Sequence, residues 1–167
     1  MDSSVTSSRA LIATAGLLAA IVFSATAVAC DDDDIVTPLP STFIAALNGA
    51  SEVPPKVVAG MGNASVVKNG ATYTYSVSYT GMTGALTAAH IHGPAAVGAN
   101  ASPIVTFNTA GAAASGTLTG TFTATDNPAV ISTDSLDKLM TSGNAYVNLH
   151  TAANLSGEIR GQLSRHP

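Results

Sequence analysis

The sequence predicts an all-β domain: an antiparallel Greek-key sandwich or barrel with one short helix. Three observations predict it. Beyond residue 40, short segments of alternating polar and apolar residues recur between glycine-rich turns. Asn69-Gly70 stands between two such segments, a strong hairpin signal. A single stretch, DSLDKLMTSG (134–143), carries the apolar spacing of a helix.

The elements follow in order. STFIAALNG (41–49) is the first candidate strand, and ASVVKNGATYTYSVSY (64–79) holds two runs around the Asn-Gly turn. In the second run Tyr73, Tyr75, Val77 and Tyr79 share one face and Thr74, Ser76 and Ser78 the other, the pattern of a half-buried strand. GALTAAHIHG, SPIVTFNT, GTLTGTFTATD, NAYVNLHT and GEIRGQLS supply the remaining strands, for seven or eight in all. The helix is expected to be capped by Thr133 or Asp134, to bury Leu136, Leu139 and Met140, and to stop at Gly143. With no Trp and few aromatics, the core is expected to rest on dispersed Val, Ile and Leu packing and on the tyrosine face.

The chain before this domain has a different character. Residues 10–29 carry no charge and end in Val28-Ala29, just before Cys30. Their length fits a membrane anchor, while their position and small residues fit an export signal (1–29) better. Cys30, the single cysteine, excludes an internal disulfide framework. Together with Val28-Ala29 it resembles the lipobox of bacterial lipoproteins, although Ala27 stands where that pattern prefers Leu. The resemblance implies lipidation of Cys30 and attachment to the membrane. Residues 30–42 then read as an acidic, proline-containing tether. Its Asp31–Asp34 run has no shaping loop and makes a poor calcium cage. The expected location is extracytoplasmic, at a bacterial cell envelope, either periplasmic or on the surface. Beyond residue 29, five Lys or Arg face nine Asp or Glu, four of them in the tether. The domain is therefore near neutral, which argues against a nucleic-acid partner.

LNGASEVPP (47–55), the YTYSVSY…AAHIHGP…SPIV run (73–105) and NAYVNLHTAANLSGEIRGQL (144–163) together resemble the chordin-type (CHRD) domain. The resemblance spans 43–163 and leaves 164–167 as a tail. It implies an immunoglobulin-like or superoxide-dismutase-like sandwich and no particular reaction. The family's growth-factor ligands in animals are not expected for a lipoprotein.

The chemistry centres on AAHIHGPA (88–95). On a strand, residues two apart face the same way with Cα atoms roughly 6.5–7 Å apart, so His90 and His92 project side by side. In NAYVNLHT, Val147 and Leu149 alternate with Tyr146, Asn148 and His150, which points His150 away from the core. His90, His92 and His150 are therefore candidate ligands for copper or zinc, both of which accept imidazole nitrogen. Satisfied structural histidines, bonded to backbone carbonyls, are the competing reading. The pattern also looks like the copper half of copper–zinc superoxide dismutases. The missing bridging histidine, disulfide and metal loops argue against dismutase activity; His166 lies in the tail.

On the adjacent strand, Ile159 and Leu163 face the core while Glu158, Arg160 and Gln162 face the histidine side. Glu158 and Arg160 are expected as an exposed ion pair worth a few tenths of a kcal/mol to about one, or as supports behind the ligands. No nucleophile elbow, phosphate loop or dinucleotide fingerprint appears. Two functions remain: a non-enzymatic envelope module that binds a protein or glycan, or a copper- or zinc-binding domain.

Overall fold

A computed structural model describes residues 39–124 and 132–167. The export signal, Cys30, the acidic run and the end of GTLTGTFTATD lie outside the described residues. No described helix is long and apolar enough to cross a membrane.

The described residues of the domain form antiparallel strands and one α-helix. Its strands are β1 (Ser41–Asn48), β2 (Met61–Asn69), β3 (Thr72–Thr80), β4 (Leu86–His92), β5 (Pro103–Thr106), β6 (Gly116–Thr123), β7 (Tyr146–Thr151), β8 (Asn154–Gln162) and β9 (Ser164–Arg165). The helix α1 spans Thr133–Thr141. One hydrogen-bonded path runs β5-β4-β7-β8-β1-β2-β3-β6 and nearly closes into a barrel. The chain leaves β3 for β4, returns from β5 to β6 beside β3, and crosses again to β7 beside β4. These crossings give the Greek-key arrangement.

The β2–β3 hairpin pairs Asn69 with Thr72 across Gly70-Ala71, and Gly70 takes the positive φ (60°) that the turn requires. Tyr73, Tyr75, Val77 and Tyr79 are all buried, and Thr74, Ser76 and Ser78 are exposed. The core combines dispersed Ala, Val, Ile and Leu packing with this tyrosine face, where several aromatics gather. Tyr73 stacks on Phe122 at 4.9 Å and Tyr75 on Phe107 at 4.1 Å between ring centroids. Stacked pairs add roughly 0.5–1.5 kcal/mol beyond area burial, so these rings anchor β3 to β6 and to the chain leaving β5.

Three further details differ from the sequence reading. Ser132 caps α1 by accepting from Ser135 N–H, which leaves Thr133 and Asp134 in the first turn. The helix buries Leu136 and Met140 fully and Leu139 partly. β1 begins inside the segment read as tether, at Ser41, and β9 pairs Ser164 and Arg165 with Ile44 and Phe43, so the chain end is tied to the sheet. Finally, β8 is buried over five consecutive residues, 157–161. Its inner face meets the core, and its outer face lies under the loops that follow β1 and β4.

Candidate metal centre

β4 and β7 pair with His90 opposite Asn148 and His92 opposite Tyr146. His150 sits opposite Ala88, one diagonal step from His90. Strand alternation puts all of these polar side chains on one face, the outer one, while Ala89, Ile91, Val147 and Leu149 fill the core behind them. The three histidines meet there. Ring centroids are 5.0 Å apart for His90–His150, 5.3 Å for His90–His92 and 5.9 Å for His92–His150. One ring nitrogen from each lies within 4.8 Å of the other two.

Hydrogen bonding assigns the tautomers. His92 Nδ1 lies 2.8 Å from the Ala101 carbonyl and His150 Nδ1 3.0 Å from the Leu155 carbonyl. A carbonyl only accepts, so both Nδ1 atoms carry the proton and both Nε2 atoms are bare lone pairs. His92 Nε2 is buried without a protein partner. His150 Nε2 accepts from His90 Nδ1 at 3.1 Å, which places the His90 proton on Nδ1. Two of the histidines thus bond backbone carbonyls as structural histidines do. The same bonds fix the Nδ1 proton and leave Nε2 as the ligating atom, the usual support of a metal-binding imidazole.

Electrostatics favour the neutral, ligating form. Burial, reinforced by His150 and His92, pushes the His90 pKa down to about 4. Burial also lowers His92 and His150, against the opposing effect of their carbonyl hydrogen bonds. Two imidazole nitrogens on one zinc or copper ion stand roughly 3–3.4 Å apart, given bonds of about 2.0–2.1 Å. The His90–His150 pair already has that spacing. Closing all three onto one ion needs the widest separation to contract by roughly 1.5 Å on the same bond lengths, and His90 must give up its Nδ1 proton to ligate there.

The residues flanking the cluster correct the sequence reading. Glu158 and Arg160 are 0% and 2% exposed, and neither bonds the other. Arg160 lies over the Tyr146 ring, 3.8 Å from its centroid, and Tyr146 stacks on His92 with 4.9 Å between centroids and planes within 7°. The Arg160 guanidinium donates to Asn100 Oδ1 and to the Ala99 carbonyl, and Asn100 donates to the Val53 carbonyl. These bonds fasten both covering loops over β8. Tyr146 hydroxyl donates to the Ala101 carbonyl that also holds His92, so one peptide unit fixes both rings.

Glu158 faces the turn that follows β7. It accepts from Thr83 N–H at 2.7 Å, from the Thr83 and Thr151 hydroxyls, and from Asn154 at 3.0 Å. Burial alone would raise its pKa, but these hydrogen bonds outweigh it and hold the carboxyl below the usual range. Gly157, beside it, has φ 122°, and a Cβ there would fall 2.5 Å from Asn148 Nδ2. Only glycine fits this close approach.

Glu52 had no distinguishing signal beyond its place in SEVPP. It is 4% exposed, and burial raises its pKa to about 7 against the nearby charges of Arg160 and Lys56. A cavity of about 520 Å³ opens between the covering loops over Glu52 and Arg160, and none of the three histidines lines it.

The chain has no match among curated proteins or solved structures. The model of one family, the CHRD domain, matches residues 43–163, from the third residue of β1 to the residue just after β8. That match covers most of the sequence, and the chain belongs to the CHRD domain family.

Proposed function

We propose that this CHRD domain is a binding module whose ligand is a copper or zinc ion held by His90, His92 and His150. The observation that carries the reading is the buried, unpartnered Nε2 of His92, whose ring lies beside two other neutral imidazoles while its own Nδ1–H is anchored to Ala101. A buried nitrogen lone pair without a partner costs about 1–3 kcal/mol, and a metal ion would satisfy it together with its two neighbours. A purely structural histidine cluster would gain nothing from leaving that atom bare.

The wider setting is part of the same proposal. The export-signal character of residues 10–29 and the lipobox-like Val28-Ala29-Cys30 support a module displayed outside the cytoplasm on a lipid anchor. The test of the metal reading is elemental analysis of the purified domain (residues 35–167) after copper or zinc loading and dialysis, beside the His90→Ala/His92→Ala double variant. Near-equimolar metal in the wild type and none in the folded variant is expected. Equal, substoichiometric metal in both would refute the reading.

A further inference from the structure

Donor type alone does not choose among Cu(I), Cu(II) and Zn(II), since imidazole binds all three. Charge does. The cluster consists of three neutral histidines, and among the described residues no carboxylate joins it. Outside the cluster, a cation acts on His92: Arg160, buried and lying over Tyr146, which is itself stacked on His92. From the stacking distances the guanidinium stands on the order of 10 Å from an ion held at His92 Nε2. Its bonds to Asn100 and Ala99 keep it there.

We infer that the three-histidine site selects a monovalent soft ion, Cu(I), over the dications Cu(II) and Zn(II), and that Arg160 is the positioning residue that sets this preference. The inference rests on the metal reading of the site. Two physical effects act in the same direction. The cost of bringing an ion out of water rises with the square of its charge, so a buried site whose ligands are all neutral penalises a dication about fourfold more than a monocation. Repulsion from Arg160 rises linearly with charge. At roughly 10 Å and an effective dielectric of about 20, it weakens binding by about tenfold for each unit of charge on the ion. Cu(I) is d¹⁰ and is satisfied by three nitrogens. Zn(II) is ordinarily four-coordinate, and a neutral water as its fourth ligand would leave both charges uncompensated.

The test is anaerobic competition of the domain against a chromogenic Cu(I) chelator, with parallel Cu(II) and Zn(II) competitions, in wild type, Arg160→Gln and Arg160→Lys. Wild type is expected to hold Cu(I) most tightly. Arg160→Gln is expected to gain about tenfold for Cu(I) and about a hundredfold for the dications, which narrows the preference about tenfold. For a one-electron couple that tenfold change is a fall of about 59 mV in copper potential. Arg160→Lys keeps the charge and is expected to keep the preference, which separates charge from packing. Zn(II) or Cu(II) held as tightly as Cu(I) by the wild type would overturn the inference while leaving the metal site standing. So would a folded Arg160→Gln with an unchanged ratio. Failure of all three ions to bind would remove the site itself, and the inference with it.

Discussion

Glu158 offers the sharpest test of how the buried polar layer is held together. Replacing it with Gln preserves size and shape and removes only the charge and one acceptor. In the wild type its two oxygens accept four hydrogen bonds, from the Thr83 amide, the Thr83 and Thr151 hydroxyls, and Asn154. If the Gln oxygen keeps the Thr83 amide, its NH₂ faces the hydroxyls, which can rotate to accept, and the Asn154 NH₂, which cannot. Charge-assisted bonds contribute about 1.5–3 kcal/mol against about 0.5–1.5 for neutral ones, and the relief of a buried charge offsets part of the loss. A net destabilisation of about 2–4 kcal/mol follows, or roughly 5–15 °C in Tm for a domain of this size. The pH dependence gives the sign. The folded carboxyl lies below its ordinary value of 4.5, so its contribution is complete above that value and is lost as pH falls through the lowered one. Urea unfolding at pH 7 and at pH 3 should therefore find a large gap between wild type and Glu158→Gln at the higher pH and a smaller one at the lower. A variant as stable as wild type at pH 7, or a gap independent of pH, would refute this account of Glu158. The same substitution should weaken metal binding by about tenfold, because Asn154 and Thr151 hold the turn just before Leu155, whose carbonyl holds His150.

Three further outcomes are expected. An ordinary imidazole of pKa about 6.5 is mostly protonated at pH 5.5 and costs a bound metal about tenfold per histidine, whereas His90 at about 4 costs almost nothing. With His92 and His150 also lowered, Zn(II) affinity should fall far less than the roughly thousandfold of three ordinary imidazoles between pH 7.5 and 5.5 in competition titrations, and a fall near a thousandfold would contradict it. The metal-free domain should lose stability as pH drops from about 6.5 toward 4, because the unfolded chain takes up protons that the folded histidines refuse. Cys30→Ser should move the full-length protein from the membrane fraction to the soluble one on fractionation, and retention in the membrane would contradict the lipid anchor.

The fold was legible where one face of a strand is buried and the other wet. The Tyr73–Tyr79 alternation and the Asn69-Gly70 turn suffice for β2 and β3, because a one-residue slip would turn every tyrosine outward. The histidine cluster was legible in part. Spacing put His90 and His92 on one face and His150 on the outer side of its strand, but only the Greek-key crossing makes β4 and β7 neighbours. Burial of Glu158 and Arg160 was not legible. Alternation assigns a side chain to a face and says nothing about what covers that face, and here the cover comes from loops. Asn100 and Ala99, which hold Arg160, sit in a glycine- and alanine-rich turn with no pattern of its own. The helix cap was ambiguous because Ser132, Thr133 and Asp134 are all good caps, and the backbone chose the first.

The central claim is that His90, His92 and His150 close on a single ion. X-ray absorption at the copper edge of the Cu(I)-loaded domain measures it most directly. Three nitrogen neighbours near 2.0 Å are expected, all with the outer-shell scattering of imidazole, and one fewer imidazole in His150→Ala. A spectrum with one imidazole or none, unchanged by His150→Ala, would contradict it and leave the three rings as structural packing.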